Sequence, residues 1–349
     1  MGKIIISGKF VRSPINGISR YATEVVKAID RKVSPEQMEL IVPAGMSGKL
    51  KLNNIKIIEG KTVSLGWDYS VVEKYAKQNN ALYVNFCNNG GFYKKSIVCV
   101  HDIRPLTWGD GKRTFKTQKL KMKLYISSWL AVKNTKILVT LSEFSKHEIQ
   151  DYFNRNDKEI EVISCGWEHL NAIFADDNII KKNPYLTPKE YYFSISSIAP
   201  HKNFSWVLKI AQRHPECQFV IAGNKNGALW ATELSFSEQN NIHYLGYVTD
   251  EEMKSLMSNS KALLFPSFYE GFGIPPLEAL ALGVPAIVSD IPIMREIFGN
   301  SVYYINPHDD NVSLNDLLSQ RIAPADELLE KNSWSRAADK WLSILLEHS

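Results

Sequence analysis

The sequence predicts an α/β protein made of two successive parallel-sheet domains, and three observations carry that reading. At 349 residues the chain exceeds one ordinary hydrophobic core, so length alone favours two domains of roughly 150 to 180 residues. Short apolar runs alternate with amphipathic helical stretches along almost the whole chain, which is the pattern of βα units. The alternation pauses once, at 171–190, and then begins afresh.

In chain order, the apolar runs KIIISG (3–8), ELIVP (39–43), NIKIIEG (54–60), ALYVNF (81–86), SIVCVHD (96–102), KILVTLS (136–142) and EIEVIS (159–164) read as strands. Helical spacing lies between them near 19–29, 70–78, 116–134 and 143–153. The polar segment 171–190, with Pro184 and Pro188 and no clear period, reads as an interdomain linker after a first domain at 1–170. The second series has strands at 191–196, 217–223, 241–246, 262–266, 286–290 and 301–306, with helices near 203–214, 250–260, 275–283 and 292–299. This second domain spans 191–330, so two Rossmann-like domains follow one another. In the tail, 331–349, Trp334, Ala338, Trp341, Leu342 and Leu345 make one apolar helix face that needs a partner, and packing back across both domains would supply it.

Composition is that of a globular protein: 44% apolar and 22% charged residues. The net charge of +4 conceals an asymmetry, with 27 Lys/Arg against 14 Asp/Glu in 1–160 and 14 against 23 in 161–349. The first half carries no nucleic-acid motif, so its basic charge points to an anionic surface or substrate. Between 111 and 142 eight basic residues meet no acidic one, and Lys112, Lys116, Lys119 and Lys123 recur at helical spacing beside Trp108 and Phe115. Contact with anionic lipid headgroups or a solvated helix face both account for that stripe. Cys87, Cys99, Cys165 and Cys217 lie far apart, as small core residues of a reducing compartment do. No run resembles a signal peptide or reaches the roughly 20 apolar residues of a membrane span. The expectation is a cytoplasmic protein, at most peripheral on the inner face of the membrane.

The segment SFYEGFGIPPLEALALGVP (267–285) follows an apolar strand directly and carries the most chemistry. Gly271 and Gly273 let backbone approach a ligand, and Pro275 and Pro276 suit the first turn of a helix, where an N–H is unneeded. Free amides and the dipole at that helix start suit a diphosphate. Glu270 points from the turn and Glu278 from inside the helix, and each carboxylate can accept two hydroxyl donors.

Glu270 to Glu278 reproduces the E-x7-E signature of retaining glycosyltransferases, and the surrounding residues resemble glycosyltransferase family 4, including its bacterial mannosyl- and rhamnosyl-type members. The resemblance spans nearly the whole chain and implies the GT-B fold: two Rossmann-like domains facing a cleft, with a C-terminal helix crossing back to the first. It implies further that Glu278 binds the nucleotide ribose, that Glu270 contacts the donor sugar near the reacting carbon, and that the amides of Gly271, Phe272, Gly273 and Ile274 hold phosphate and sugar oxygens. SISSIAPHKNF (194–204) resembles the family's phosphate-binding turn, with Ser196 at the strand end and Lys202 on the donor diphosphate, where a cation offsets developing charge. Many members carry an Arg five residues before that Lys; this chain has Ser197, which leaves His201 as the neighbouring candidate for a second basic contact. VRSPINGISRYATEVV (11–26) resembles the family's first glycine-rich loop, placing Gly17 by the diphosphate. His101 and Asp102 close the strand SIVCVHD, at the strand end where open parallel sheets bind ligands. The family's His at that place reaches the transferred sugar or acceptor; Ser142 and Ser145 are further acceptor-side candidates. IAGNKNG (221–227) and LGYVTDEEM (245–253) resemble turns around the nucleobase, with Tyr247 and Val248 at its edge.

No Asp-x-Asp triplet stands at a strand end, so a metal-independent reaction is expected, with no cofactor and a nucleoside-diphosphate sugar as donor substrate. The acceptor is expected to be a glycan or lipid-linked saccharide of an O-antigen, capsule or similar polysaccharide. An epimerase or phosphorylase of the same fold, or a non-catalytic glycan-binding module, would share parts of the pattern. A dehydrogenase would need a G-x-G-x-x-G after a strand, which the sequence lacks.

Overall fold

The computed structural model describes residues 2–35, 37–63, 66–107, 115–155, 159–223 and 240–349, without the side chains of 115–117 and 120. The chain divides into two compact units, Met1–Cys165 with Asn332–Ser349 and Gly166–Lys331.

In the first unit β1 (Ile4–Ser7), β2 (Met38–Val42), β3 (Lys56–Glu59), β4 (Leu82–Asn85), β5 (Ser96–Cys99), β6 (Ile137–Thr140) and β7 (Ile160–Val162) form one parallel sheet in the order β3-β2-β1-β4-β5-β6-β7. In the second unit β8 (Tyr191–Ile195), β9 (Gln218–Ala222), β10 (Ile242–Gly246), β11 (Ala262–Phe265), β12 (Ala286–Ser289) and β13 (Tyr303–Ile305) are likewise parallel, in the order β10-β9-β8-β11-β12-β13. Every strand falls on a segment expected from the apolar runs. Strands β1, β4, β5, β6, β11 and β12 are buried at every position, as parallel strands covered by helices on both faces must be. The edge strand β3 instead exposes Lys56 and Glu59, charges that discourage pairing with another chain.

Each order reverses once, between β1 and β4 and between β8 and β11. Successive crossovers there leave on opposite faces, which opens a crevice at the carboxyl ends of the two central strands.

The stretch 171–190 does not link the units but folds with the second. Its backbone finds partners on helix Asp250–Ser258: Lys254 Nζ donates to the carbonyls of Leu170 and Ile173 at 2.9 and 2.8 Å, and Asp176 N–H donates to Glu251 O at 3.0 Å. The boundary accordingly falls at residue 165, ahead of the expected 170.

The terminal helix Trp334–His348 joins the first unit against helix Gly17–Asp30. Trp341, fully buried, meets the Phe86 ring edge-on at 4.7 Å and donates its indole N–H to Tyr21 Oη at 2.9 Å. Trp334 meets Tyr21 at 5.9 Å, and Lys32 pairs with Asp339 at 2.6 Å. Trp341→Ala should cost about 3–5 kcal/mol of first-unit stability in chemical denaturation. A loss under about 1 kcal/mol would show that this helix is not part of the core.

Candidate functional site

In the second unit the functional candidates gather along the carboxyl edge of the sheet. After β8, Ser196 N–H donates to Ala222 O of β9, and Gly223 N–H donates to Gly246 O at the end of β10. Gly223 has φ +149, and a Cβ there would stand 1.7 Å from Ser196 O, so glycine is what lets these turns close on one another. The chain then makes one turn of 3-10 helix, Pro200–Lys202, and enters helix Phe204–Arg213 through Asn203 in the left-handed region at φ +54. Asn203 Nδ2 donates to Pro266 O and Pro307 O at 3.1 and 2.9 Å, tying the β8 turn to the chain beyond β11 and β13. His201, buried, accepts Phe268 N–H through its backbone carbonyl, while Ser197 is exposed.

After β11, Gly273 at φ +110 opens helix Ile274–Ala281, with Gly271 and Phe272 buried behind it. Lys202 Nζ lies 2.6 Å from Glu270 Oε1, with side-chain exposures of 16% and 11%. An ammonium and a carboxylate this shielded stay together because each would lose its solvation alone. The pair stands across the β8/β11 reversal. Glu278, inside the helix, is 6% exposed and accepts a hydrogen bond from His169 Nε2 at 2.9 Å. Tyr247, 62% exposed, and the half-buried Val248 follow β10 at the outer end of the same edge. The neighbouring turn at 224–227 lies outside the described residues. Among the described residues one His/Cys/carboxylate trio is close enough to share a cation, His214, Glu216 and Cys217, and it sits at the amino end of β9, away from these turns.

In the first unit, Gly17 begins helix Gly17–Asp30 behind an Asn16/Ser19 capping box, and a Cβ on Gly17 would meet nothing within 4 Å. His101 is 3% exposed, its Nε2 donating to Phe86 O at 2.7 Å and its ring against the edge of Tyr21 at 5.0 Å. The Nε2 proton is committed to a carbonyl, so Nδ1 is the nitrogen left to accept. Burial holds the His101 pKa below its ordinary 6.5, with the Phe86 carbonyl and Asp102 acting the other way. Asp102 Oδ1 accepts Arg104 N–H, and the buried Ser142 caps helix Glu143–Phe153 by accepting Ser145 N–H. Ser145 Oγ is buried without a hydrogen-bond partner among the described residues.

One carboxylate has no motif to mark it. Asp68, 2% exposed in a stretch of π-helix, accepts Ser7 Oγ at 2.6 Å and Lys9 Nζ at 2.8 Å, with Asn85 and Asn89 amides at 3.4 and 3.5 Å. Ser7 ends β1 and Asn85 ends β4, so this cluster occupies the strand-order reversal of the first sheet. Ser7 and Asn85 were readable as polar residues ending apolar runs; Asp68 carried no signal. His169, too, went unmarked.

Comparison with known proteins points to the same chemistry. The model of the family "Glycosyl transferases group 1" matches residues 175–340, which contain the Lys202–Glu270 pair and Glu278. The chain has the GT-B fold, and its matches are to glycosyltransferases. It is 26% identical to O-antigen chain mannosyltransferase B of Escherichia coli over 96% of this chain and 93% of that one. It is 30% identical to O-antigen chain mannosyltransferase RfbU of Salmonella typhimurium over 62% and 58%. Among solved structures, sucrose-phosphate synthase from Thermosynechococcus elongatus superposes with a TM-score of 0.73 at 11% identity, covering 99% of each chain, a likeness of fold.

With its pKa held below 6.5 by burial, His101 is neutral at pH 7 in the folded chain. As pH falls below 6.5 the unfolded chain takes the proton first, so stability is lost there and kept above. The melting temperature should therefore drop more steeply from about pH 7 to about pH 5.5 in the native protein than in His101→Gln. Equal slopes would show that His101 is not held neutral.

Proposed function

We propose that this chain is a glycosyltransferase that moves a hexose or deoxyhexose, with retention at the anomeric carbon, from a nucleoside-diphosphate sugar of the GDP-mannose type to a glycan of the bacterial cell surface. The observation that carries the reading is the shielded Lys202–Glu270 pair at the sheet reversal, beside two helix starts that offer amides to an anion. The choice of mannose and of a surface polysaccharide is supported by what the two O-antigen mannosyltransferase relatives are named for.

In this mechanism the donor diphosphate draws the Lys202 ammonium towards itself and meets the amides of Gly271 to Ile274. As the anomeric C–O bond breaks, Lys202 offsets the negative charge on the leaving diphosphate, and Glu270 stabilises positive charge on the sugar. The acceptor hydroxyl bonds to the same face and passes its proton to a donor phosphate oxygen. Glu278 accepts ribose hydroxyls. Lys202 and the helix starts take the part that a divalent cation plays elsewhere, so turnover persists in EDTA. Lys202→Ala and Glu270→Ala should each lower kcat about 10²–10³-fold, measured as GDP release from GDP-mannose with a saccharide acceptor. Turnover near the native rate in either variant removes that residue from the mechanism.

The acceptor is proposed to be lipid-linked, met at an anionic membrane surface by helix Phe115–Asn134. The helix exposes Met122, Tyr125, Ile126 and Trp129 at i, i+3, i+4 and i+7, flanked by the exposed Lys119 and Lys123. Lys112, Arg113 and Trp108 of the same basic stretch lie outside the described residues, as do the side chains of Phe115 and Lys116. No described helix is long and apolar enough to cross a membrane. Co-sedimentation with phosphatidylglycerol vesicles, but not with phosphatidylcholine vesicles, is expected and should fall several-fold in Ile126→Asp/Trp129→Asp. Equal binding to both vesicle types would refute the electrostatic contact.

A further inference from the structure

The His169–Glu278 contact joins a residue no motif marks to the carboxylate read above as the ribose ligand. The two side chains are 109 positions apart in sequence, and both are more than nine-tenths buried. Nε2 to Oε1 is 2.9 Å, and a carboxylate oxygen can only accept, so the imidazole supplies the proton.

His169 is itself held rigidly, whatever occupies the nucleotide site. It belongs to one turn of 3-10 helix, Glu168–Ala172, which follows directly on the first residues of the second unit. Lys254 Nζ grips that turn through Leu170 O and Ile173 O, and Trp167 Nε1 donates to Leu329 O at 3.1 Å on its other side. Glu278 sits in the middle of helix Ile274–Ala281. The helix fixes its Cα but leaves three side-chain torsions undecided. A donor on a second, independently anchored segment removes that freedom.

We infer that His169 is a positioning residue of the nucleotide site, which pins Glu278 Oε1 so that the carboxylate presents its remaining acceptor capacity to the 2′- and 3′-hydroxyls of the donor ribose. The inference rests on the reading of Glu278 as the ribose contact. A preorganised acceptor favours a diol over its absence, because the lone pairs that His169 leaves over have lost water on burial and gain donors from the two hydroxyls. His169 thereby sets discrimination by the site for ribose, and does so without touching the sugar.

The test is isothermal titration of GDP and UDP, each against its 2′,3′-dideoxy analogue, with the native enzyme and the His169→Phe, His169→Gln and Glu278→Gln variants. A ratio of two affinities on one protein is insensitive to how much of that protein has folded. The native ratio of Kd values should favour the ribonucleotide by about tenfold or more, collapse towards one in His169→Phe and Glu278→Gln, and recover in His169→Gln, whose amide can donate in place of Nε2. If Glu278→Gln removes the discrimination while His169→Phe keeps it, the positioning role is overturned and the ribose contact stands. If neither nucleotide is distinguished from its dideoxy analogue by the native enzyme, or Glu278→Gln leaves the ratio unchanged, the ribose contact fails and the inference with it.

Discussion

A parallel sheet can reverse its strand order only where two right-handed crossovers leave on opposite faces, and this constraint governs where the candidate site residues gather. In the second unit the reversal separates β8 from β11, so the chain leaves the sheet in two diverging turns. Lys202 comes from one turn and Glu270 from the other, and they bridge the reversal at 2.6 Å. The rest of that edge supports the bridge. Asn203 binds carbonyls beyond β11 and β13, and Gly223 allows the β8 and β9 ends to touch.

The first unit repeats the arrangement with different residues. At its reversal, Asp68 is saturated by Ser7, Lys9 and two carboxamides, so a buried charge is stabilised by several donors rather than by one counter-ion. Behind the same sheet, Tyr21 donates to Ile163 O while accepting from Trp341, and its ring edge faces His101. The terminal helix thus reaches the surroundings of His101 through Tyr21 and through Phe86, which is why a helix remote in sequence matters to a strand-end histidine.

Buried pairs recur as the means of fixing side chains that motifs supply only as types. Lys202 with Glu270 and His169 with Glu278 each hold an ionisable group of the glycosyltransferase signature in one orientation before any ligand arrives. Preorganisation of this kind transfers the cost of ordering from the reaction to folding, where the hydrophobic core of the unit, built around Tyr192, Phe204, Trp206 and Phe219, supplies the compensating free energy.

The strands, their order of appearance and the helix starts were legible in the chain because each depends on neighbours within a few residues: apolar runs, a glycine before a helix, a Pro pair in its first turn. The E-x7-E spacing and the PHKN turn were legible for the same reason. The limits of the units were not, since 171–190 looks like a linker locally and becomes part of the second unit only by contact with helix Asp250–Ser258. Nor were Asp68 and His169, whose partners lie 61 and 109 residues away. Sequence determines which side chains are available at a strand end, through short-range steric and hydrogen-bonding rules. Only the tertiary fold decides which of them are buried together, because desolvation and pairing act on distance in space, to which separation along the chain is no guide.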